Sequence, residues 1–265
     1  MYHTFMQQQA VINGNLVSYF SAGSKDANKT LVFLHGWRSQ KEVWMQVASS
    51  LYSSSAKASE DRQVTSIYAI DLPGFGQSPA PKEAWNVGDY AECVKQFIEK
   101  LELKNIYIVG HSFGGRVGIK LASQHKGLVE KLVLVGSAGF KDQSLKKHLA
   151  GFLAGLAKPF FKFKIMQGVR KKIYFLLGAE DYAATPQLRE TFKKVVGEDL
   201  SEDMERIKCP TLIINGEQDA VTPPEFGRRM HGLIPGSQFQ IFSGAGHYCF
   251  LDKPEEFVKV IEKFI

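Results

Sequence analysis

The sequence predicts an α/β protein built around a mostly parallel central sheet, and three observations support this prediction. Short apolar runs rich in β-branched residues alternate with segments whose apolar residues recur at the helical period. From Leu31 onward, most of these runs are almost continuously apolar, as expected for strands buried on both faces. One long segment, residues 141–206, contains several helical patterns and no convincing strand. We therefore expect a sheet flanked by helices, with a helical insertion over one of its edges.

Strands are predicted wherever an apolar run is short and bounded by turn residues. In chain order they are Leu16–Phe20, Leu31–Leu34, Thr65–Ile70, Ile106–Val109, Leu132–Val135, Thr211–Ile214 and Phe239–Phe242. Tyr90–Leu101 and Pro254–Ile265 place their apolar residues on one helical face, which predicts helices there. Ser53–Gln63 is polar and predicts a surface loop. Residues 1–140 and 207–265 would then form the core of the fold, and residues 141–206 an inserted helical cap.

The composition is that of an ordinary soluble globular protein. The chain has 265 residues, of which 44% are hydrophobic and 23% are charged. These values exclude collagen-like, low-complexity and wholly disordered chains. A chain of this length buries enough surface to fold without a disulfide or a structural metal. The net charge of +6 leaves an anionic partner open, and composition alone does not distinguish such a partner from simple solubility.

The cysteines and the N-terminal segment indicate the cellular compartment in which the protein is expected to occur. Cys93, Cys209 and Cys249 are an odd, widely spaced set that suits neither a disulfide framework nor a zinc site. This predicts a reducing, cytoplasmic environment. Residues 1–10 lack the apolar core of a signal peptide, and no stretch reaches the roughly 18 apolar residues of a membrane span.

A candidate nucleophile lies in the segment Ile106–Gly115, which reads IYIVGHSFGG. An apolar strand leads directly into Gly-His-Ser-Phe-Gly, and the helix Arg116–Gln124 is predicted to follow. In this strand–turn–helix context the G-x-S-x-G pattern forms a sharp turn that exposes the Ser112 hydroxyl at the sheet edge. The alternative, a phosphate-binding glycine loop, is disfavoured because neither G-x-x-x-x-G-K-[ST] nor G-x-G-x-x-G is present.

A serine hydroxyl needs an adjacent base, and a histidine base needs a carboxylate to orient it. Of the seven histidines, only His247 lies in a glycine-rich loop after the last predicted strand. His35 suits a structural hydrogen bond, and the side chain of His111 is expected to point away from the nucleophile. The candidate acids follow predicted strands and are Asp219, Asp142 and Glu217.

Five motifs together resemble the α/β-hydrolase fold family, in its serine-nucleophile, esterase- and lipase-like branch. They are HGW at 35–37, DLPGFGQS at 71–78, GHSFGG at 110–115, NGEQDAVTP at 215–223 and GAGHYCF at 244–250. The resemblance covers nearly the whole chain. It implies a nucleophile, an acid and a histidine in that chain order, which favours Asp219 as the acid, ahead of Asp142 and then Glu217.

An oxyanion needs preorganised donors, and the N–H of Phe113, directly after the nucleophile, is the first candidate. The resemblance implies the N–H of Trp37 as the second. It also assigns Asp71 a structural role in its loop. The motif HGW differs from the HGGG of many lipases and disfavours that subfamily. No pattern suggests a cofactor or metal, and Cys249 is expected to behave as a small hydrophobe.

The predicted cap is strongly basic. Lys141–Gly178 contains nine Lys and Arg residues and one acid, Asp142, which gives a net charge of +8, interleaved with six aromatic residues. Such a segment suits either weak contact with an anionic membrane surface or an acyl pocket whose lysines face water. The acyl pocket whose lysines face water is favoured. Nucleic acid is not expected, because no recognition motif accompanies the charge.

The sequence thus predicts a cofactor-free carboxylesterase that acts on small-molecule esters of small to medium acyl chains. Hydrolysis of a C–C bond or a thioester on the same three residues is an alternative, because the cap would determine the substrate. A non-catalytic binding module is the least favoured. Dehalogenases and epoxide hydrolases would carry aspartate in place of Ser112. Oligomeric state is not readable from the sequence.

Overall fold

The structure is a computed structural model that describes residues 5–24, 27–57, 65–141 and 188–265. The strands are β1 Met6–Ile12, β2 Asn15–Ala22, β3 Lys29–Leu34, β4 Thr65–Ile70, β5 Ile106–His111, β6 Val129–Val135, β7 Thr211–Gly216 and β8 Gln238–Phe242. The helices are α1 Met45–Lys57, α2 Val87–Lys100, α3 Phe113–Gln124, α4 Arg189–Gly197, α5 Ser201–Arg206, α6 Pro224–Leu233, α7 Cys249–Asp252 and α8 Pro254–Phe264. A short 3₁₀-helix spans Lys41–Trp44.

The eight strands form one sheet in the order β1-β2-β4-β3-β5-β6-β7-β8. The pairings from β4 through β3 to β8 are all parallel, whereas β2 pairs antiparallel with both β1 and β4. Every residue of β4 and β7 is buried, as their continuous apolar runs predict. The predicted α/β fold with a mostly parallel sheet is therefore confirmed.

The first strand, β1, was not among the predicted strands. Its side chains are mostly exposed or half-buried, since it forms an edge of the sheet and contacts water along most of its length. It forms a hairpin with β2 through Asn13 and Gly14, both at positive φ (45° and 77°). Two positive φ values match the twist of a hairpin, and Asn-Gly is the pair that adopts them most readily.

The sheet separates two apolar cores, because alternate residues of a strand face opposite sides. On one side, Val32 of β3 joins a cluster that includes Tyr90 of α2 and Phe113 of α3. On the other, the adjacent Phe33 joins Trp44 and Phe257, the latter from α8. We refer to these as the α3-side core and the α8-side core.

Two local predictions differ from the structure at helix ends. Helix α1 continues to Lys57, so the first half of the polar segment Ser53–Gln63 is helical. The hydroxyls of Ser50, Ser54 and Ser55 donate to carbonyls of the preceding turn of the helix, which satisfies them without a loop. Helix α3 begins at Phe113, earlier than the predicted Arg116.

The predicted cap lies largely outside the described residues, because the structure does not describe residues 142–187. The basic segment Lys141–Gly178 and the candidate acid Asp142 therefore stay predictions. The described end of the insertion is helical, with α4 and α5 separated by a short loop. In the described part of the chain, none of the helices is both long and apolar enough to cross a membrane.

A buried ion pair joins the loops that follow β3 and β4. The Nζ of Lys41 lies 2.7 Å from Oδ2 of Asp71, and both side chains are fully buried. Oδ1 of Asp71 accepts from the N–H of Lys41 at 2.7 Å, and Oδ2 accepts from the N–H of Gln77 at 2.9 Å. Close by, the N–H of Leu72 donates to Nε2 of His35 at 3.0 Å. Asp71 and His35 thus anchor loops, as the sequence indicates.

Replacing Lys41 by methionine is expected to lower the free energy of unfolding by about 3–5 kcal/mol, because the Asp71 carboxylate is then buried without its cation. Denaturant unfolding followed by circular dichroism measures the change. The matched control is the double variant Lys41→Met with Asp71→Leu, which removes both charges and should recover part of the loss. Equal stability of the wild type and the single variant would contradict the ion pair's role.

Candidate active site

The predicted site residues all lie at one edge of the sheet. Trp37 follows β3, Ser112 follows β5, Asp219 follows β7 and His247 follows β8. These strands are parallel, so their carboxyl ends share an edge, which is where open α/β sheets bind their ligands.

Ser112 occupies a strained turn between β5 and α3. Its backbone has φ 52° and ψ −108°, which a non-glycine residue rarely adopts. Hydrogen bonds maintain this conformation: its N–H donates to the carbonyl of Val135 at 3.0 Å, and its own carbonyl accepts from the N–H of Gly115 at 3.1 Å. The side chain of Ser112 remains partly exposed. The structure therefore has the exposed serine turn that the motif predicts.

The two glycines of the motif are required by close backbone contacts. A Cβ on Gly110 would lie 2.5 Å from the carbonyl oxygen of Gly114, across the turn. A Cβ on Gly114 would collide with the carbonyl oxygen of Leu34 at the end of β3. Larger residues at either position would push the turn open, so the glycines fix the position of Ser112 relative to β3.

The predicted acid and base are in direct contact. Nδ1 of His247 lies 2.8 Å from Oδ2 of Asp219. Because a carboxylate only accepts hydrogen bonds, Nδ1 carries the proton and Nε2 is left with a free lone pair. Oδ1 of Asp219 accepts from the N–H groups of Val221 and Thr222 at 2.8 and 2.9 Å, and the Thr222 hydroxyl lies 2.8 Å from Oδ2. The carboxylate is therefore held at both oxygens.

These contacts favour the ionised form of Asp219. Burial alone would raise the pKa of this carboxyl group, since a charge is less stable away from water. The hydrogen bond to His247, the charge on that ring and the donors of Thr222 outweigh burial, and the pKa of Asp219 is lowered from its ordinary value. The competing acid Glu217 instead accepts from Ser243 and Gly244 on the surface, and the third candidate, Asp142, lies outside the described residues.

The predicted oxyanion donors lie on both sides of the nucleophile. Phe113 is the first residue of α3, so its N–H has no partner within the helix. Trp37 follows Gly36, where a Cβ would lie 3.4 Å from Cβ of Ser112, so its loop adjoins the nucleophile. Across the described residues, no acceptor is found for the N–H of either Phe113 or Trp37. Both N–H groups therefore stay candidates for the oxyanion donors.

An aromatic wall borders these donors. The ring of Trp37 lies 4.9 Å from Phe75, 5.2 Å from Phe113 and 5.1 Å from Phe192 of α4, measured between centroids. Tyr90 contacts Phe113 from below at 5.0 Å. Edge-to-face contacts of this kind fix ring positions. The wall therefore offers an apolar surface beside Ser112, and α4, within the segment 141–206, contributes Phe192 to it.

The structure joins two of the three predicted catalytic side chains by a hydrogen bond. Among the contacts of the described residues, none links Oγ of Ser112 to the ring of His247. In enzymes without substrate such bonds are often long and tighten only in the complex. Sequence reasoning did not identify two residues that support Asp219 and His247. These residues are Thr222, which contacts Asp219, and His111. The Nε2 of His111 lies 3.0 Å from the carbonyl oxygen of His247. The contact of His111 with His247, and those of the Thr222 hydroxyl with Gly136 and His247, depend on the folded topology, whereas Thr222 meets Asp219 within one short turn.

Two of the three cysteines, Cys93 and Cys249, are expected to resist alkylation in the folded protein. Cys93, Cys209 and Cys249 are free thiols, and burial raises the pKa of Cys93 and of Cys249 to about 12. At pH 8 about one molecule in 10⁴ then carries either thiolate, against about a quarter for an ordinary cysteine. Mass spectrometry after iodoacetamide treatment should find Cys93 and Cys249 modified only in urea. Rapid modification of native Cys249 would show instead that the thiol beside His247 is reactive.

Comparisons with known proteins identify the family. A model of the alpha/beta hydrolase fold family matches residues 29–254. The AB hydrolase superfamily protein YisY of Bacillus subtilis is 27% identical over 89% of this chain and 91% of its own length. Monoacylglycerol lipase abhd6-A of Xenopus laevis is 26% identical over 98% of this chain and 82% of its own.

Solved structures show the same fold. The esterase from Exiguobacterium antarcticum superposes with a TM-score of 0.74 over 98% of this chain and 99% of its own, at 23% identity. The family match extends from β3 to the first residue of α8 and includes every predicted site residue. The chain therefore belongs to the α/β-hydrolase fold family of enzymes.

Proposed function

We propose that this protein is a serine hydrolase that cleaves carboxylic esters of small to medium acyl chains, through an acyl-enzyme on Ser112. The observation that carries the proposal is the 2.8 Å contact between Asp219 and His247 at the sheet edge where Ser112 occupies its strained turn. A base with a fixed tautomer beside an exposed serine is the arrangement that acyl transfer needs.

In the acylation step, Oγ of Ser112 attacks the ester carbonyl while Nε2 of His247 takes its proton. Asp219 holds the ring in the tautomer that leaves Nε2 free and stabilises the imidazolium that forms. The carbonyl oxygen becomes an oxyanion, which accepts from the N–H groups of Phe113 and Trp37. The imidazolium then gives its proton to the leaving alcohol. A water molecule activated by His247 releases the acid and restores Ser112.

The aromatic wall supports an apolar acyl group as the substrate's larger part. Trp37 and Phe192 are half-buried and the buried Phe75 packs against Trp37, so the partly exposed rings of the wall are apolar. The named functions of two relatives, a monoacylglycerol lipase and an esterase, are also ester hydrolyses. In this proposal residues 141–206 form a cap that closes the pocket, with the lysines of Lys141–Gly178 facing water.

The test is a panel of p-nitrophenyl esters from acetyl to palmitoyl, with Ser112→Ala as the blank. We expect turnover that peaks at short to medium chains and a fluorophosphonate adduct on Ser112 in the wild type. A preference for long chains that requires lipid vesicles would support contact of the basic cap with a membrane surface. Turnover that persists in Ser112→Ala would contradict the proposal.

The same panel separates the alternatives. A thioester or a vinylogous diketone hydrolysed faster than every ester, with the adduct still on Ser112, would reassign the substrate and retain the nucleophile. Absence of both turnover and adduct in the folded wild type would favour a non-catalytic binding module. The sequence and fold accommodate each reaction, so the substrate panel rather than the fold must decide.

A further inference from the structure

The ring of His111 lies where three loops of the candidate site meet. It precedes Ser112 directly, and its Nε2 lies 3.0 Å from the backbone carbonyl oxygen of His247. A Cβ on Gly36, the residue before Trp37, would lie 2.9 Å from its Nδ1. One imidazole therefore contacts the loops of the nucleophile, the base and the second oxyanion donor. Its own side chain is fully buried.

We propose that His111 is a positioning residue for His247: its Nε2–H holds the backbone of the catalytic base in register with Ser112. The inference rests on the proposed function, since it deepens the account of the same site. Asp219 fixes the ring of His247 and leaves the loop that carries the ring to be fixed by other contacts. His111 supplies such a contact from the strand that ends at the nucleophile.

The hydrogen bond determines the tautomer of His111. A carbonyl oxygen only accepts, so Nε2 must carry the proton. Nδ1 is then a bare acceptor, and within the described part of the chain it has no hydrogen-bond partner. Gly36 packs against this nitrogen with a Cα that offers no donor. Both observations fit a neutral imidazole with one role, donation to the His247 carbonyl.

Packing holds the ring in this orientation. The centroid of His111 lies 4.6 Å from that of His247, 4.8 Å from Tyr248 and 5.2 Å from Phe250. Trp44 meets it edge to face at 6.4 Å. Aromatic groups thus surround an imidazole whose single donor is committed to the base, and a rotated ring would lose that bond without gaining another.

The surroundings keep His111 uncharged while His247 gains a proton in the proposed acylation step. Burial lowers the pKa of His111 well below its ordinary value, and the nearby His247 lowers it further, against the opposing effects of the His247 carbonyl and Asp219. His35 also faces the ring and disfavours its charge. In acylation the positive charge must form on His247 next to Asp219. A neutral His111 adds no repulsion at that moment.

The experiment compares His111→Gln with His111→Met. Glutamine places an amide nitrogen the same number of bonds from Cα as Nε2 of histidine, whereas methionine places a methyl group there at similar volume. We expect His111→Met to lower kcat for p-nitrophenyl acetate about 10- to 100-fold, with KM changed less than about 3-fold. His111→Gln should recover kcat to within about 5-fold of the wild type.

Thermal unfolding and fluorophosphonate labelling accompany the kinetics. Equal losses of kcat in both variants, or kcat within about 3-fold of wild type in both, would overturn the positioning role, since only the donor distinguishes them. Inactivity of the wild type, or full activity of Ser112→Ala, would instead contradict the proposed function. Independently of activity, ¹⁵N NMR of the imidazoles at neutral pH should show His111 as a neutral Nε2–H tautomer. An Nδ1–H tautomer would also overturn the inference.

Discussion

Ser112→Ala is expected to lower kcat/KM for ester hydrolysis by about 10⁴-fold or more. The substitution removes the oxygen proposed to form the acyl-enzyme, and the proposed oxyanion donors Phe113 and Trp37 would then supply only a small background. Stopped-flow or plate assays with p-nitrophenyl acetate at saturating and subsaturating concentrations measure the loss. Fluorophosphonate labelling should disappear in parallel.

A glycine at the same position provides the matched control. Ser112→Gly is equally unable to form an acyl-enzyme, but glycine accepts φ 52° without strain. We therefore expect Ser112→Gly to be more stable to denaturant than Ser112→Ala by about 1 kcal/mol, although both are inactive. Turnover within 10-fold of wild type in either variant would show that Ser112 is not the nucleophile. Equal stability of the two would indicate that the turn carries no strain.

Asp219→Asn is expected to lower kcat by about 10³- to 10⁴-fold with little change in KM. The asparagine amide can donate to Nδ1 of His247, which would place the ring proton on Nε2 and remove the lone pair that accepts the serine proton. Shape and volume are nearly unchanged, so the loss should be specific to proton transfer. Steady-state kinetics and a fluorophosphonate labelling rate, which should fall with kcat, test this.

Glu217→Gln is the matched control, since Glu217 lies in the same loop, is solvent-exposed and accepts from Ser243 and Gly244. We expect it to retain activity within about 2-fold, because an amide oxygen preserves an acceptor. If Glu217→Gln were the inactive variant and Asp219→Asn the active one, the acid would have to be reassigned.

The pH dependence of the free energy of unfolding is a second test of Asp219. Its pKa is lowered in the folded chain, so its carboxylate stabilises the fold above the unfolded pKa of about 4. That contribution disappears as the pH falls through the lower, folded pKa. The wild type should therefore lose more unfolding free energy than Asp219→Asn between about pH 5 and pH 2.

Strands buried on both faces could be predicted because their runs are uniformly apolar. Thr65–Ile70 coincides with β4, since neither face of that strand contacts water. The edge strand β1 lacks this signal because its Gln side chains are exposed. Its signature was instead the Asn13-Gly14 turn, which marks a hairpin whatever the polarity of the strands.

The site could be predicted where a motif fixes the backbone, as at Ser112 and its two glycines. Asp219 and His247 were predicted from position and family resemblance, and the structure places them in contact. His111 was not given its role because its contact crosses from β5 to the loop after β8. Thr222 was also missed, although it lies only three residues from Asp219 in the same loop. No local pattern encodes which carbonyl an imidazole reaches across a sheet edge. The extent of α1 was missed because serine hydroxyls bonded inside a helix look like loop residues in sequence.

The two cores divide the site between them. Trp37, Phe75 and Phe113 pack against the α3-side core, whereas Trp44 and Phe250, which surround His111, belong to the α8-side core. If the proposed function holds, substitutions in the aromatic wall are expected to change which acyl groups are accepted while the packing around His111 and His247 stays intact. A library of variants confined to the α3 side, with the backbone donors of Trp37 and Phe113 retained, should therefore yield new substrate preferences more often than loss of activity.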